Sequence, residues 1–264
     1  MNKEILNLYE IEDQLLFAAI DKITVEVINK KKTAGAQVIA LTACSPLAGT
    51  TSTSISLAIA MAATSRRTVL VDCDVRKSER YKKLNDKAGR GLADYVSARN
   101  DMTVSVEDVL YPTNVDDLFY IPCGRTEGNA TRILCSERVD ELLGVLKASY
   151  DCIIFDCPSV SVVPDAHIMF NKVDGIIVVA ALGETKRSQI KDMRQLMAAY
   201  KDRYYGMIVN KIPHDIYKKN VKNADYYLKD KNGKQRFAKN KKYKLRKTED
   251  GIEAETIYNT GSNN

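Results

Sequence analysis

Three aspartates and one loop of small residues could carry chemistry in this chain of 264 residues. Asp72 and Asp74 lie in VLVDCDVRK, at the end of an apolar run, and Asp156 lies in YDCIIFDCPSV, at the end of another. Their i and i+2 spacing places Asp72 and Asp74 on the same face of an extended chain. Such carboxylates suit Mg²⁺, which binds through one or two carboxylates plus phosphates, and one of them could accept a proton from a hydroxyl nucleophile.

The loop is CSPLAGTTSTS, Cys44 to Ser54. A phosphate-binding loop needs small residues whose backbone N–H groups close on phosphate oxygens, a lysine for the β and γ phosphates, and a hydroxyl for Mg²⁺. Gly49 and the Thr51 hydroxyl are present, but Thr50 stands in the lysine position. On its own the loop favours a helix cap rich in serine and threonine. The three aspartates shift the interpretation towards a nucleotide site.

Strand and helix patterns alternate around these residues, which predicts a doubly wound α/β domain with a mostly parallel sheet flanked by helices. Ligands of such folds bind outside the carboxyl ends of the strands. The expected strands are QVIALTA (37–43), TVLVDCD (68–74), DLFYIPCG (117–124), CIIFDCP (152–158), GIIVVAAL (175–182) and GMIVNKI (206–212). The expected helices are 51–65, 131–150, 165–173 and 186–204.

Three segments are expected: an N-terminal helical segment (1–36), one α/β domain (37–212) and a basic, tyrosine-containing tail (213–264). The tail holds 13 Lys or Arg and 7 Asp or Glu, so its excess of six positive charges equals that of the whole chain. Asn232-Gly233 and Asp250-Gly251 are turn signals there, so β-hairpins compete with disorder. A basic tail could meet an anionic membrane, nucleic acid or an acidic partner, or it could simply be solvated.

Composition excludes several classes of protein. The chain is 45% hydrophobic and 28% charged, as in ordinary globular proteins. No apolar run reaches the ~20 residues of a membrane span, and the polar N-terminus does not fit a signal peptide, so a cytoplasmic location is expected. Six cysteines without a C-x-x-C pair, with only His167 and His214 to join them, argue against zinc sites and disulfide frameworks.

A family resemblance emerges from the order of the motifs. The chain contains, in this order, the motifs CSPLAGTTST, VDCDVRKS, IIFDCPS, PDAH (164–167) and VNK (209–211). In these motifs it resembles the bacterial tyrosine autokinases, or BY-kinases, of capsular and exopolysaccharide synthesis, which belong to the Min/Par-type P-loop ATPases. The resemblance runs from about Val38 to Lys211 and implies a P-loop NTPase-like fold with ATP and Mg²⁺ as cofactors. It also implies a membrane-bound polysaccharide co-polymerase or modulator as partner, which would hold the chain at the inner face of the membrane, and no nucleic acid.

The resemblance implies a role for each matching residue. The nucleotide-binding residues would be Ala48, Gly49, Thr50, Thr51, Ser52 and Arg76. The Mg²⁺ ligands would be Thr51, Asp72 and Asp156, and the catalytic carboxylates would be Asp72, Asp74 and Asp156. Asp72 and Asp74 would also activate the tyrosine hydroxyl, and Asp156 would be the Walker B aspartate. Candidate phosphorylation sites are Tyr226, Tyr227, Tyr243 and Tyr258, spread more widely than the family's C-terminal tyrosine cluster.

Departures from the family pattern leave three hypotheses open. Leu47 and Thr50 stand where the family has Gly and Lys, Ser78 replaces its proline, and Asp13 and Leu16 replace two arginines of its ring-forming helix. The chain could be a regulatory pseudokinase that has weak or no nucleotide binding and acts beside an intact kinase paralogue. It could be an active autokinase whose missing cation comes from a residue such as Arg76. It could also be a positioning ATPase of the Min/Par type.

Overall fold

The structure, a computed structural model, describes residues 5–8, 14–76, 89–98, 104–125, 129–163, 165–213, 215–216, 242–248 and 251–257. Contacts divide the chain into one unit of Met1–Pro213 and another of His214–Asn264.

Seven strands of the first unit form one sheet in the order β3-β4-β2-β5-β1-β6-β7. All neighbours are parallel except β3 and β4. The strands are β1 (Val38–Ala43), β2 (Thr68–Asp72), β3 (Tyr111–Pro112), β4 (Leu118–Ile121), β5 (Cys152–Asp156), β6 (Gly175–Ala181) and β7 (Tyr204–Asn210). This sheet confirms the predicted doubly wound α/β fold.

Helices cover both faces of the sheet. They are α1 (Gln14–Ala34), α2 (Thr50–Ala62), α3 (Leu92–Ser97), α4 (Val106–Val109), α5 (Ala130–Leu134), α6 (Glu137–Ser149), α7 (Asp165–Phe170) and α8 (Arg187–Met197), with a 3-10 turn at Ala198–Tyr200. Residues of α1 and α2 pack into one hydrophobic core, and residues of α3 and α5 to α8 pack into the other.

Continuous apolar runs became strands because the sheet is buried on both faces. In β1, Val38 and Ala40 join one core while Ile39 and Leu41 join the other, as the alternation of side chains along a strand requires. The edge strand β7 is only partly buried.

Two details differ from the sequence prediction. The helix expected over 131–150 is two helices, because the hydroxyl of Ser136 accepts a hydrogen bond from the N–H of Arg138 at 3.3 Å and starts α6 anew. The short strand β3 was not predicted. A segment at the N-terminus lies beside it, where the N–H of Leu6 donates to the carbonyl of Pro112 at 3.0 Å.

The second unit contains a hairpin of β8 (Lys242–Thr248) and β9 (Gly251–Ile257), paired antiparallel with Thr248 opposite Gly251. Of the predicted turn signal Asp250-Gly251, Gly251 is the first residue of β9 and Asp250 lies outside the described residues. The Asn232-Gly233 signal lies outside the described residues. Among the helices that the structure describes, none is long and apolar enough to cross a membrane.

Candidate functional site

Two of the predicted carboxylates meet at the carboxyl edge of the sheet. Strands β2 and β5 are parallel neighbours, and their register pairs Asp72 directly with Asp156. Both aspartates are buried, at 3% and 2% exposure. The N–H of Cys73 donates to the carbonyl of Asp156 at 2.9 Å, which extends the pairing past the strand ends. Asp74 follows two residues after Asp72 and is partly buried, so the three carboxylates belong to one edge of the fold.

Neighbouring groups donate hydrogen bonds to these carboxylates. The hydroxyl of Ser54, on α2, donates to Oδ1 of Asp156 at 3.3 Å, and the N–H of Asp74 donates to Oδ1 of Asp72 at 3.0 Å. The hydroxyl of Tyr120 donates to Oδ2 of Asp72 at 3.5 Å. Burial, together with the nearby charges of Asp72 and Asp156, raises the pKa of Tyr120 well above its usual value, which keeps this hydroxyl a donor. The sequence interpretation assigned no role to Ser54 or Tyr120.

The loop between β1 and α2 leads into a helix N-terminus that has no side-chain cap. Gly49 is the N-cap of α2 with φ of 90°, and it offers no side-chain cap to the first N–H groups of the helix. Thr50 and Thr51 open the helix and are partly buried, whereas Ala48 is buried and Ser52 is exposed. The helix is 13 residues long, and its first N–H groups have no side-chain cap, so its N-terminus is suited to bind an anion.

Leu47 occupies a left-handed conformation, with φ of 61°. Its side chain is 79% exposed, so packing does not repay the strain of a β-carbon in that region, about 1–2 kcal/mol. The backbone of Leu47 therefore has a conformation that glycine adopts at lower cost.

Asn210, the last residue of β7, holds this loop. Its Nδ2 donates to the carbonyl of Ala48 at 2.9 Å, and it lies 2.2 Å from where a β-carbon of Gly49 would be. Only glycine fits at position 49 for this reason. The motif VNK contained the residue, but its type and spacing gave no sign of this contact.

A second contact joins the loop to the segment after β6. The hydroxyls of Ser45 and Thr185 are 3.0 Å apart, and Thr185 Oγ1 accepts a hydrogen bond from the N–H of Ala181 at 2.8 Å. The loop is thus tied to both β6 and β7. No sequence pattern pointed to Thr185.

Arg76 contacts a buried carboxylate. Its Nη2 donates to Oδ1 of Asp165 at 3.1 Å, its Nε donates to the other oxygen, and Nη2 also contacts the hydroxyl of Thr131 at 3.2 Å. Asp165 is 1% exposed. The hydrogen bond with Asp165 raises the pKa of Arg76, so the guanidinium stays charged and remains paired with the Asp165 carboxylate.

The residues at this edge of the sheet are of the types that bind magnesium and nucleotides. Thr51, Asp72 and Asp156 supply the oxygen ligands that Mg²⁺ prefers, and the N-terminus of α2, which has no side-chain cap, offers N–H groups to phosphate oxygens. The described residues contain no ready cluster of three or more His, Cys, Asp or Glu for a metal ion. Such a site would need phosphate oxygens and water to complete the ligand set.

Three of the four candidate phosphorylation sites, Tyr226, Tyr227 and Tyr258, lie outside the described residues, as do Asp13 and Ser78. Tyr243 lies in β8, for which the backbone alone is described. Leu16, in the position of a family arginine, is 42% exposed on α1.

Comparisons with known proteins agree with this geometry. A family model described as an AAA domain (AAA_31) matches residues 36–204. The chain is 30% identical over 186 residues to the tyrosine-protein kinase CpsD of Streptococcus pneumoniae serotype 4, covering 70% of this chain and 80% of that protein. It is 29% identical over 181 residues to CpsD of Streptococcus agalactiae serotype Ia, covering 68% and 76%. The solved BceF tyrosine kinase domain superposes with a TM-score of 0.62 at 26% identity, covering 75% of this chain and 76% of that one.

Proposed function

Because the chain belongs to the bacterial tyrosine-kinase (BY-kinase) family, we propose that it is a regulatory pseudokinase of capsular or exopolysaccharide biosynthesis that binds Mg-ATP weakly. One observation carries the proposal. Thr50 is the first residue of α2, at the position where the family has lysine, while the N-terminus of that helix has no side-chain cap.

The missing lysine should weaken binding and chemistry to different degrees. A charge-assisted hydrogen bond contributes about 1.5–3 kcal/mol, so its loss weakens phosphate binding about tenfold or more. Phosphoryl transfer depends almost wholly on positioning and on neutralising the charge of the phosphates, so it should lose more. The chain can therefore bind ATP weakly without catalysing phosphoryl transfer.

The remaining groups suit the roles that the resemblance implies for them. Thr51, Asp72 and Asp156 would hold Mg²⁺, which neutralises phosphate charge when it is bound. The N–H groups at the start of α2 would donate to phosphate oxygens. Asp74 would accept the proton of an incoming hydroxyl, and its backbone hydrogen bond to Asp72 helps to position it.

A pseudokinase of this kind would act through partners. A membrane-bound polysaccharide co-polymerase or modulator would hold it at the inner face of the membrane, and an intact kinase paralogue would supply the phosphoryl transfer. The candidate tail tyrosines Tyr226, Tyr227, Tyr243 and Tyr258 would then be substrates of that paralogue rather than of this chain.

An active autokinase is the second candidate. The retention of Asp72, Asp74 and Asp156 at one edge of the sheet favours it, because a chain that had lost all chemistry would not need three carboxylates there.

One experiment separates the two candidates. The purified protein is incubated with labelled ATP and Mg²⁺, and phosphotyrosine is measured for the wild type and for Asp74→Asn. Little label in either protein, together with measurable ATP binding by calorimetry, supports the pseudokinase. Strong label that Asp74→Asn abolishes establishes the autokinase instead, and the absence of any ATP binding overturns both forms of nucleotide-dependent function.

A further inference from the structure

The loop that would receive an anionic ligand has no positively charged side chain of its own. Asp72, Asp74 and Asp156 bring carboxylates to the edge of the sheet, while the loop CSPLAGTTSTS contains no lysine or arginine. A bound nucleotide would add further negative charge. Charges of one sign at short range oppose binding, so a cation from another part of the chain would strengthen the binding of Mg-ATP beyond what the metal ion provides.

An ion pair beside the loop can supply that cation. Nζ of Lys211 lies 2.9 Å from Oε1 and 2.7 Å from Oε2 of Glu184. Lys211 directly follows Asn210, whose amide donates to Ala48 in the loop. Glu184 directly precedes Thr185, whose hydroxyl contacts that of Ser45 at 3.0 Å. Each residue of the pair is therefore next in sequence to a residue that contacts the loop.

Lys211 can leave its partner at little cost. The side chains of Lys211 and Glu184 are 38% and 55% exposed, and exposed ion pairs contribute little because water replaces the partner. Arg76 differs, since turning it towards a ligand would leave the buried carboxylate of Asp165 without its cation. The other ion pairs of the described residues, Lys31 with Asp151 and Lys172 with Asp140, involve no residue next to the loop contacts.

We propose that Lys211 binds the phosphates of a nucleotide in place of the missing loop lysine, and that Glu184 competes with the nucleotide for it. The proposal rests on the proposed nucleotide binding and names the residue on which that binding depends.

Two substitutions should change affinity in opposite directions. Lys211→Met keeps the length of the side chain and removes the charge, so the dissociation constant of Mg-ATP should rise about tenfold or more. Glu184→Gln removes the competitor, so affinity should increase by about two- to fivefold. Lys172→Met, which breaks the ion pair with Asp140 elsewhere in the protein, is the control and should bind as the wild type does.

The measurement is calorimetric titration of each purified full-length variant with Mg-ATP, with the melting temperature recorded to show that each is folded. Opposite shifts for Lys211→Met and Glu184→Gln support the proposal. Wild-type binding that Lys211→Met leaves unchanged overturns it while the proposed function stands. Equal weakening by Lys211→Met and Glu184→Gln also overturns it, because the ion pair would then have a structural role. If neither the wild type nor any variant binds ATP, the proposed binding and this proposal both fail.

Discussion

The amide of Asn210 donates a hydrogen bond to the carbonyl of Ala48 at 2.9 Å, although 162 residues of chain separate them. The contact fixes the loop before α2 against the end of β7. It also fills the space next to Gly49, so the side chain at position 210 and the missing side chain at position 49 depend on each other.

That dependence can be measured by a double-mutant cycle. Gly49→Ala should destabilise the fold by about 2 kcal/mol or more, because its φ of 90° is left-handed and its new β-carbon would meet Asn210. Asn210→Ala alone should cost about 1 kcal/mol for the lost hydrogen bond. The double variant should cost less than the two single changes together, since the clash is gone. Urea unfolding of all four proteins tests this, and strict additivity would contradict the contact.

At position 47, glycine should give a more stable protein than the natural leucine does. Leu47→Gly should raise the free energy of unfolding by up to about 1 kcal/mol, because it removes left-handed strain while losing little packing from an exposed side chain. Leu47→Ala is the control, since it keeps a β-carbon and the strain. Urea unfolding compares them, and a destabilised Leu47→Gly would mean that the leucine makes a contact worth more than the strain.

The pair of Arg76 and Asp165 should behave as a buried charge with its counter-ion. Arg76→Met removes the cation that pairs with the buried carboxylate of Asp165 and leaves the hydroxyl of Thr131 as a donor to it, so it should destabilise the protein. Adding Asp165→Asn to Arg76→Met should restore part of the loss, because the amide carries no charge. Thermal unfolding measures both, and a double variant less stable than Arg76→Met would show that the charge was not the cause.

Stability should fall in alkaline solution. Burial raises the pKa of Cys44 from its ordinary 9.0 to about 11 and that of Cys152 to about 12. Burial also raises the pKa of Tyr204 and Tyr205. The unfolded chain loses the protons of the two thiols first, so their stabilisation is complete below about pH 9 and is lost as the pH rises through the folded pKa values, by at most about 1.4 kcal/mol per pH unit for each thiol.

Urea unfolding between about pH 8 and pH 11 measures that loss. Cys152→Ala should flatten the decline because one titrating group is gone. Cys135→Ala, at an exposed thiol, should leave the slope as it is. A slope that Cys152→Ala does not change would contradict the assignment.

Short-range patterns were sufficient to predict most of the fold. The six long strands are continuous apolar runs because both faces of the sheet are buried, and such runs can be recognised in the sequence. The break between α5 and α6 was missed because the capping residue Ser136 lies inside a continuous amphipathic pattern. The strand β3 was missed because two residues carry no periodicity.

The candidate site, like the fold, has some features that the sequence predicts and others that depend on contacts between distant residues. The positions of Asp72, Asp74 and Asp156 at strand ends could be read locally, but the order of strands that makes β2 and β5 neighbours could not. The contacts of Asn210 with Ala48 and of Thr185 with Ser45 join residues far apart in sequence, and their polar side chains are ordinary for loop residues. Arg76 was predicted near the site, whereas its pairing with Asp165 depends on how α7 packs.

Restoring the lysine of the loop gives the most direct test of what the chain has lost. Thr50→Lys should tighten Mg-ATP binding by about tenfold or more, because the new ammonium group meets the phosphates at the start of α2. Thr50→Met is the control, as it adds length without charge. If Asp72, Asp74 and Asp156 remain competent, Thr50→Lys should also gain tyrosine phosphorylation that a further Asp74→Asn removes. Tighter binding without phosphorylation would mean that the carboxylates no longer support transfer. Binding equal to that of Thr50→Met would contradict the view that the loop still receives phosphates.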